Sequence, residues 1–261
     1  MSEINEKMDS FRKLLEIMDE LREKCPWDQK QTLDSLRKLT IEETYELADA
    51  ILKKDMTDLK KELGDLMLHI VFYSKIASEQ GAFDIRDVLE SISEKLIYRH
   101  PHVFGEVEVE TAREVEENWE ALKLTEKGGN KSVLEGVPSA LPALIKANRI
   151  QEKVSGVGFD WEHREQVWDK VHEEIDEVRC EIENADQDKI EQEFGDLFFA
   201  LVNAARLYGV DPETALERTN TKFIRRFNYL EDKTLKKGVL LKEMSLSEMD
   251  AIWEEAKKSE I

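Results

Sequence analysis

The sequence predicts an all-α protein built from two helical-bundle domains in tandem. Apolar residues recur at the three- and four-residue spacing of a helix from residue 8 onward, and no strand-like alternation of any length is found. The stretch from Glu42 to Asp65 is repeated by the stretch from Glu173 to Asp196, at an offset of 131 residues at both ends. Acidic, apolar and glycine positions repeat together, which indicates an internal duplication.

The helices of the first copy follow from apolar spacing and from the residues that end them. Proline disfavours helical geometry at the residue before it, so Cys25-Pro26-Trp27-Asp28 ends the first helix. Lys54-Asp55-Met56-Thr57-Asp58 is a short turn with capping residues, and Asp84 is an N-cap candidate. We expect helices at about residues 8–24, 33–52, 58–79, 85–99 and 111–126.

The second copy repeats this order after a linker. Gly128-Gly129-Asn130 and the run towards Pro138 have the composition of a linker. The predicted domains are therefore residues 1–127 and 137–261, joined by a linker at 128–136. We expect helices of the second copy at about residues 141–154, 163–184, 188–208, 212–230 and 246–258.

Composition narrows the class of protein. The net charge of −20 argues against a nucleic-acid backbone or an anionic membrane surface as the main partner. An anionic small molecule stays possible if a metal and local Lys or Arg residues attract it. Cys25 and Cys180 make no disulfide framework, which fits a reducing compartment. The N-terminus has no secretory pattern and no apolar stretch is long enough to span a bilayer, so we predict a cytoplasmic protein.

The acidic residues of the second copy predict a metal site. On one helix, Glu173 and Glu174 lie four and three residues before Glu177, so these side chains share a face. Glu193 and Asp196 share a face of the next helix. Two such helices folded back on each other would direct four or five carboxylates at one point. A hard divalent cation would relieve their repulsion, and Mg²⁺ prefers oxygen ligands.

The first copy predicts a second metal site from the same pattern. Taken alone, a Glu-Glu-x-x-Glu run in an acidic chain is usually a solvated helix face. Leu63, Leu66 and Met67 indicate instead that this helix is largely buried. Gly64 and Gly195 lie mid-helix at a cost of about 1 kcal/mol, which indicates the close approach of another helix or a ligand. The candidate ligands of this second site are Glu42, Glu43, Glu46, Glu62 and Asp65.

A set of short motifs extends over nearly the whole chain. They are Cys25-Pro26-Trp27-Asp28, Glu42 to Glu46, Glu62-Leu63-Gly64-Asp65, His100-Pro101-His102-Val103-Phe104, Val157-Gly158-Phe159-Asp160-Trp161, Glu173 to Glu177 and Glu193-Phe194-Gly195-Asp196. In these motifs the chain resembles the MazG family of bacterial nucleoside triphosphate pyrophosphohydrolases. The resemblance implies an all-α pyrophosphohydrolase fold whose helical bundles are completed by homodimerisation. It also implies Mg²⁺-dependent cleavage of many NTPs and dNTPs to the monophosphate and pyrophosphate.

The carboxylates suit this chemistry. Hydrolysis between the α- and β-phosphates needs a water directed at phosphorus and neutralisation of the leaving pyrophosphate, and Mg²⁺ can supply both. Mn²⁺ is a possible substitute. We assign Glu174, Glu177, Glu193 and Asp196 as metal ligands, with Glu173 as a further ligand or as the base that orients water. Which glutamate is the base is left open.

The resemblance also implies a set of residues that contact substrate. Lys222 and Arg226 lie four apart on one helical face, and their counterparts in the first copy are Lys95 and Arg99. A bidentate arginine suits phosphate, although ordinary surface ion pairing would also explain these cations. Trp253 could stack on a base, or be a core or dimer contact. The full set is Lys189, Lys222, Arg226, Trp253 and Lys257.

The two copies differ at positions that matter for a triphosphate. Asp58 occupies in the first copy the position of Lys189 in the second, and an acid there should repel phosphate. His100-Pro101-His102 also differs from Phe227-Asn228-Tyr229. We therefore predict catalysis in the C-terminal copy.

Two other functions fit an acidic helical protein. A carboxylate-bridged di-metal protein of the ferritin-like type would need Glu-x-x-His pairs, but Glu62 and Glu193 are followed by aspartates at that spacing. His69 and His172 lie outside that pattern. An acidic scaffold that binds other proteins is the non-enzymatic alternative, and it predicts no metal-dependent activity.

Overall fold

The chain is described by a computed structural model at residues 2–111, 114–115, 118–119, 122, 132–236, 238 and 240–258. Regular secondary structure in these residues consists of ten α-helices and three short 3-10 turns, without a strand, which confirms the all-α prediction. The chain divides into two compact units, Met1–Glu108 and Val109–Ile261. Most of the predicted helix at 111–126 and the start of the predicted linker lie outside the described residues, so the predicted domain limits stay a prediction.

The helices of the first unit lie close to their predicted positions. Helix α1 begins at Glu3 rather than near residue 8, since Glu3 and Glu6 suit the positive end of the helix dipole. Helix α3 begins at Met56 because Asp55 caps it, accepting from the backbone N–H of Thr57 and Asp58. The helices are α1 Glu3–Lys24, α2 Leu33–Lys53, α3 Met56–Glu79, α4 Ile85–Arg99 and α5 Pro101–Phe104.

The second unit has the same order of helices. The predicted start at residue 163 is a 3-10 turn, Arg164–Gln166, that leads into α7. Helix α9 continues to Leu235, beyond the predicted end near 230. The helices are α6 Ala143–Ser155, α7 Val167–Asn184, α8 Gln187–Leu207, α9 Pro212–Leu235 and α10 Leu246–Lys258. No helix in the described part of the chain is long and apolar enough to cross a membrane.

A helical hairpin forms the centre of each unit. In the first unit α2 packs along α3, and in the second α7 packs along α8. The two turns have the same backbone: Lys54 and Ala185, at equivalent positions, both adopt the left-handed conformation, with φ of 57° and 59°. Asp55 and Asp186 then cap the following helices. The duplication therefore extends to the conformation of single turn residues.

The core of each unit uses the hairpin helices. In the first unit Leu36 of α2 and Phe72 of α3 are buried together with Met18 of α1. In the second unit Val167 and Val171 of α7 pack against small residues of α8. The helices that carry the acidic residues are therefore held in place by apolar packing on another of their faces.

The expectation that α3 and α8 are largely buried is met only in part in the single chain, because each helix is buried on one face and exposed on another. Leu63 and Met67 of α3 are exposed, as are their counterparts Phe194 and Phe198 of α8. The apolar residues of each helix form a stripe too wide for the neighbouring helices to cover. The expected close approach at the mid-helix glycine is also absent from the described residues, where a Cβ built on Gly64 or Gly195 meets nothing within 4 Å.

Glycine at the left-handed turn positions should stabilise the fold. Left-handed geometry costs an L-residue about 1 kcal/mol that glycine avoids, so Lys54→Gly and Ala185→Gly should each raise the midpoint of thermal unfolding. Lys53→Gly, one residue earlier and inside α2, is the control and should lower it, because glycine costs about 1 kcal/mol in a helix. A lower midpoint for the turn variants would contradict this explanation.

Candidate active site

Helices α7 and α8 bring three predicted ligands of the second copy together. Glu174, Glu177 and Glu193 each offer a carboxylate oxygen, and these oxygens lie within 4.8 Å of one another. Glu174 is only 4 % exposed, whereas Glu177 lies at the surface. Asp196 is exposed and lies outside this group, so its role as a ligand stays a prediction.

Helices α2 and α3 form a matching group in the first copy. Glu43, Glu62 and Asp65 offer oxygens within 4.8 Å of one another, and Glu62 is only 1 % exposed. Glu42 and Glu46 lie outside it and are exposed. The offset of 131 maps Glu43, Glu62 and Asp65 to residues 174, 193 and 196. The two groups together therefore contain all four positions that the sequence assigns to metal ligands.

The electrostatics of both groups disfavour several negative charges at one point. Loss of hydration, and then the charges of Asp65, Glu46 and Glu62, raise the pKa of Glu43 above its ordinary value. Loss of hydration, a hydrogen bond with Glu174 and the charges of Glu174 and Glu193 likewise raise the pKa of Glu177. Each group would be stabilised by a cation that shares its oxygens.

Each group also contains a buried oxygen without a partner. Glu62 Oε2 and Glu174 Oε2 are buried and accept no hydrogen bond from the described residues. An unpaired buried carboxylate oxygen is costly, and in native structures such an atom calls for an explanation. A divalent cation bound among these all-oxygen groups would supply the missing partner, so the residues present fit the predicted Mg²⁺.

A lysine that the sequence interpretation missed reaches the second-copy group. Lys170 Nζ lies 2.6 Å from Glu174 Oε1 and 2.9 Å from Glu173 Oε1. Its hydrogen bonds to Glu174 and then Glu173 raise the pKa of Lys170. The signal was present in the sequence, since Lys170 lies one helical turn before Glu174. In the first copy Lys61 Nζ donates to Glu62 Oε1 at 2.8 Å.

The predicted substrate lysine Lys189 lies at the turn between α7 and α8. Its Nζ is 3.8 Å from Glu181 Oε2 and 3.8 Å from Asp186 Oδ2. It precedes Glu193 by one helical turn and so shares a face of α8 with it. The structure thus places Lys189 beside the carboxylate group but paired with other acids.

Two other predicted substrate residues meet where α9 packs on α10. The Arg226 guanidinium lies over the Trp253 ring at 5.9 Å from its centroid, and Phe223 contacts the same ring at 5.0 Å. Trp253 is half-buried, so its ring has both a packed part and an accessible part. Lys222 is exposed on α9, and Lys257 Nζ pairs with Glu254 of its own helix at 2.5 Å.

An ion pair ties the loop before α7 to the end of α8. Arg206 donates to both carboxylate oxygens of Asp160, at 2.6 and 3.0 Å, and Ser155 Oγ donates to the same carboxylate. Partial burial opposes ionisation of Asp160, but the hydrogen bonds from Arg206, Ser155 and the Trp161 backbone outweigh it and lower its pKa. The aspartate of the Val157 to Trp161 motif therefore has a structural role.

The MazG nucleotide pyrophosphohydrolase domain matches the chain twice, at residues 31–104 and 163–230. The chain belongs to the MazG family. Each match contains one hairpin with its carboxylate group, and the second also contains Lys222 and Arg226. Trp253 and Lys257 lie beyond the matched residues.

Three relatives at 44–46 % identity support this membership, and two of them are of nearly the same length as this chain. The chain is 44 % identical over 261 residues to a nucleoside triphosphate pyrophosphohydrolase of Escherichia coli, covering 97 % of this chain and 99 % of that protein. It is 45 % identical over 250 residues to the nucleoside triphosphate pyrophosphohydrolase/pyrophosphatase MazG of Thermotoga maritima, covering 95 % of each. The uncharacterized protein YabN of Bacillus subtilis is 46 % identical over 238 residues, which are 90 % of this chain and 49 % of that protein.

The Asp160 ion pair should make stability depend on acid pH. Because the folded-state pKa of Asp160 is lowered, its contribution is full above the ordinary value of 3.8 and is lost as pH falls through the lower folded value. Asp160→Asn should cost about 1–3 kcal/mol of unfolding free energy at pH 7, and much less near pH 2. Denaturant unfolding at both pH values tests this.

The matched control for this experiment is Asp176→Asn. Asp176 pairs with Arg179 on the exposed face of α7, where an ion pair contributes little. An equal effect of the two substitutions at pH 7 would show that the Asp160 pair is no more than a surface contact.

Proposed function

We propose that this chain hydrolyses nucleoside triphosphates to the nucleoside monophosphate and pyrophosphate, with Mg²⁺ held by the carboxylate group of the C-terminal copy. Family membership and the names of the Escherichia coli and Thermotoga maritima relatives support the reaction. The observation that carries the metal site is Glu174, a buried carboxylate with an unpartnered oxygen among other acids. A broad range of NTPs and dNTPs is part of the proposal.

The carboxylates of the second copy would bind the cation and orient the attacking water. Glu174, Glu177 and Glu193 would hold the cation, with Asp196 one helical turn after Glu193 as a further ligand. The cation supplies charge neutralisation and lowers the pKa of water. Glu173 lies exposed beside the group and is assigned to orient the attacking water and accept its proton.

Cations around the group would bind the triphosphate. Lys170 already lies at the carboxylates, and Lys189 stands one turn before Glu193 on the same helix. Arg226 and Trp253 form a second surface, where a guanidinium suits phosphate and an indole face suits a base. In this arrangement Lys222 and Lys257 supplement the positive charge from α9 and α10.

The differences between the copies support catalysis in the second. The first copy has Asp58 in place of Lys189 and Leu39 in place of Lys170. It thus has no lysine at either of these two positions. Its own carboxylate group has Lys61 at Glu62 and would hold a cation, but without counterparts of Lys170 and Lys189 to bind a triphosphate.

A homodimer would cover the exposed apolar stripes. Leu63 and Met67 of α3, and Phe194 and Phe198 of α8, are large apolar side chains in contact with solvent in the single chain. Such stripes mark interaction surfaces, and the open glycine on each helix would allow a second helix to approach closely. Equivalent stripes on equivalent helices suit the self-complementary contact of a two-fold dimer.

Product identification tests the reaction and its location. With Mg²⁺ and a panel of NTPs and dNTPs, the wild type should release monophosphate and pyrophosphate, and EDTA should abolish turnover. Glu193→Gln should lower kcat by at least about a hundredfold, since it removes a ligand of the cation. Glu62→Gln at the equivalent position of the first copy is the matched comparison, and the large loss should be confined to Glu193→Gln.

Other outcomes of that experiment have distinct meanings. A loss confined to Glu62→Gln would place catalysis in the first copy. Diphosphate and phosphate as products would mean that the β–γ bond is cleaved. No turnover by folded wild-type protein would favour the acidic scaffold or the carboxylate-bridged di-metal protein.

The dimer is tested by placing a charge in the stripe. Phe198 is 59 % exposed in the single chain, so Phe198→Glu should leave the fold intact but shift the sedimentation coefficient from dimer to monomer. Phe159→Glu, in an exposed loop of the same unit, is the control and should leave the association unchanged. An unshifted sedimentation coefficient for Phe198→Glu would exclude this stripe as the interface.

A further inference from the structure

Each carboxylate group contains an ammonium from its own chain, and the two ammoniums come from unrelated positions. Lys170 reaches Glu174 and Glu173 in the second copy, whereas Lys61 reaches Glu62 in the first. At the offset of 131, Leu39 is the residue equivalent to Lys170, and Gln192 is the residue equivalent to Lys61. The pairing is therefore not inherited from the repeat, and in each copy it neutralises the most buried carboxylate.

The pairing of Lys170 is incomplete. Its Nζ lies 2.6 Å from Glu174 Oε1, while Glu174 Oε2 stays buried and unpartnered. The Lys170 side chain is 38 % exposed, so the ammonium has access to solvent as well as to the carboxylates. The cation is assigned to the same carboxylate, where it would take the unpartnered Oε2. Two positive charges on one carboxylate repel each other, so the Lys170 ammonium and a divalent cation cannot both bind Glu174 at full strength.

We propose that the Lys170 ammonium is the resident counterion of the C-terminal carboxylate group. A divalent metal must displace this ammonium from the carboxylates, and the released ammonium then pairs with the bound triphosphate. This inference rests on the proposed metal site. A lysine suits the role because its ammonium is a point charge on a flexible stem and can exchange one anion for another with little rearrangement.

The exchange makes metal and nucleotide binding cooperative. Metal alone must break the Lys170 ion pairs, so its affinity is reduced. When a nucleotide is also present, the released ammonium gains a phosphate in place of the carboxylate. Each ligand then strengthens the binding of the other by the same factor.

Titration with Mn²⁺ in the absence of nucleotide tests the displacement. Free Mn²⁺ is measured by electron paramagnetic resonance, in a Glu62→Gln background that disables the first-copy group. Lys170→Met should bind Mn²⁺ about tenfold more tightly than the parent, because no ion pair has to be broken. Lys170→Arg keeps the charge and should bind Mn²⁺ like the parent. Lys170→Gln is the second neutral variant, and circular dichroism verifies folding.

Arg179→Met is the matched control for charge alone. It removes one positive charge from the same helix, where Arg179 pairs with the exposed Asp176. Its Mn²⁺ affinity should stay within about twofold of the parent, since a solvent-exposed charge is largely screened. Equal tightening by Arg179→Met and Lys170→Met would overturn the proposal, because net charge would then explain the effect.

Binding of a nucleotide analogue tests whether the released Lys170 ammonium pairs with phosphate. At saturating Mg²⁺, Lys170→Met should bind an α,β-methylene nucleoside triphosphate, which resists cleavage, about tenfold more weakly than the parent, and Lys170→Arg should retain most of the affinity. Unchanged or weaker Mn²⁺ binding by Lys170→Met, or unchanged analogue binding, would overturn this inference and leave the proposed function in place. A parent and variants that bind no Mn²⁺ would overturn both.

Discussion

Repulsion among carboxylates on one helical hairpin is the constraint around which each unit is organised. Acids on α7 and α8 would separate if the helices were free to move, and packing of Val167 and Val171 against α8 prevents this. The hydrophobic contacts on one face thus hold like charges together on another. Loss of hydration, and then the neighbouring carboxylates Glu174 and Glu193, raise the pKa of Glu177, and Glu174 carries an unpartnered oxygen. A fold that stores such repulsion is prepared to bind a cation.

Both copies keep the acidic residues of the hairpin, but they differ in other residues of the same two helices. Thr40, His69 and Tyr73 of the first copy correspond to Val171, Ala200 and Ala204 of the second, at the offset of 131. Thr40 Oγ1 and Tyr73 Oη are 2.6 Å apart and join α2 to α3, and burial lowers the pKa of His69 against the opposing charge of Asp65. The second copy has apolar residues there. The duplication has preserved the acids more strictly than the packing that supports them.

The sequence predicted the helix positions well and indicated which acidic residues share a helix face, because both depend on spacing along one element. Periodicity located every described long helix to within a few residues, and the repeat indicated the two carboxylate groups. Burial was less predictable. Leu63 and Phe194 fit the apolar pattern of their helices, but periodicity does not say which part of a wide stripe meets the same chain. Contacts that join distant positions, such as Asp160 with Arg206, had no signal in the sequence.

The exposed stripes of α3 and α8 have a consequence for biosynthesis. A newly made chain can close each hairpin on its own core residues, yet it still presents Leu63, Met67, Phe194 and Phe198 to water. An exposed apolar surface of this kind promotes aggregation with other unfolded chains. The yield of native protein in a cell would then depend on how quickly the stripes are covered, and therefore on the rate of synthesis and on chaperones that shield apolar helices.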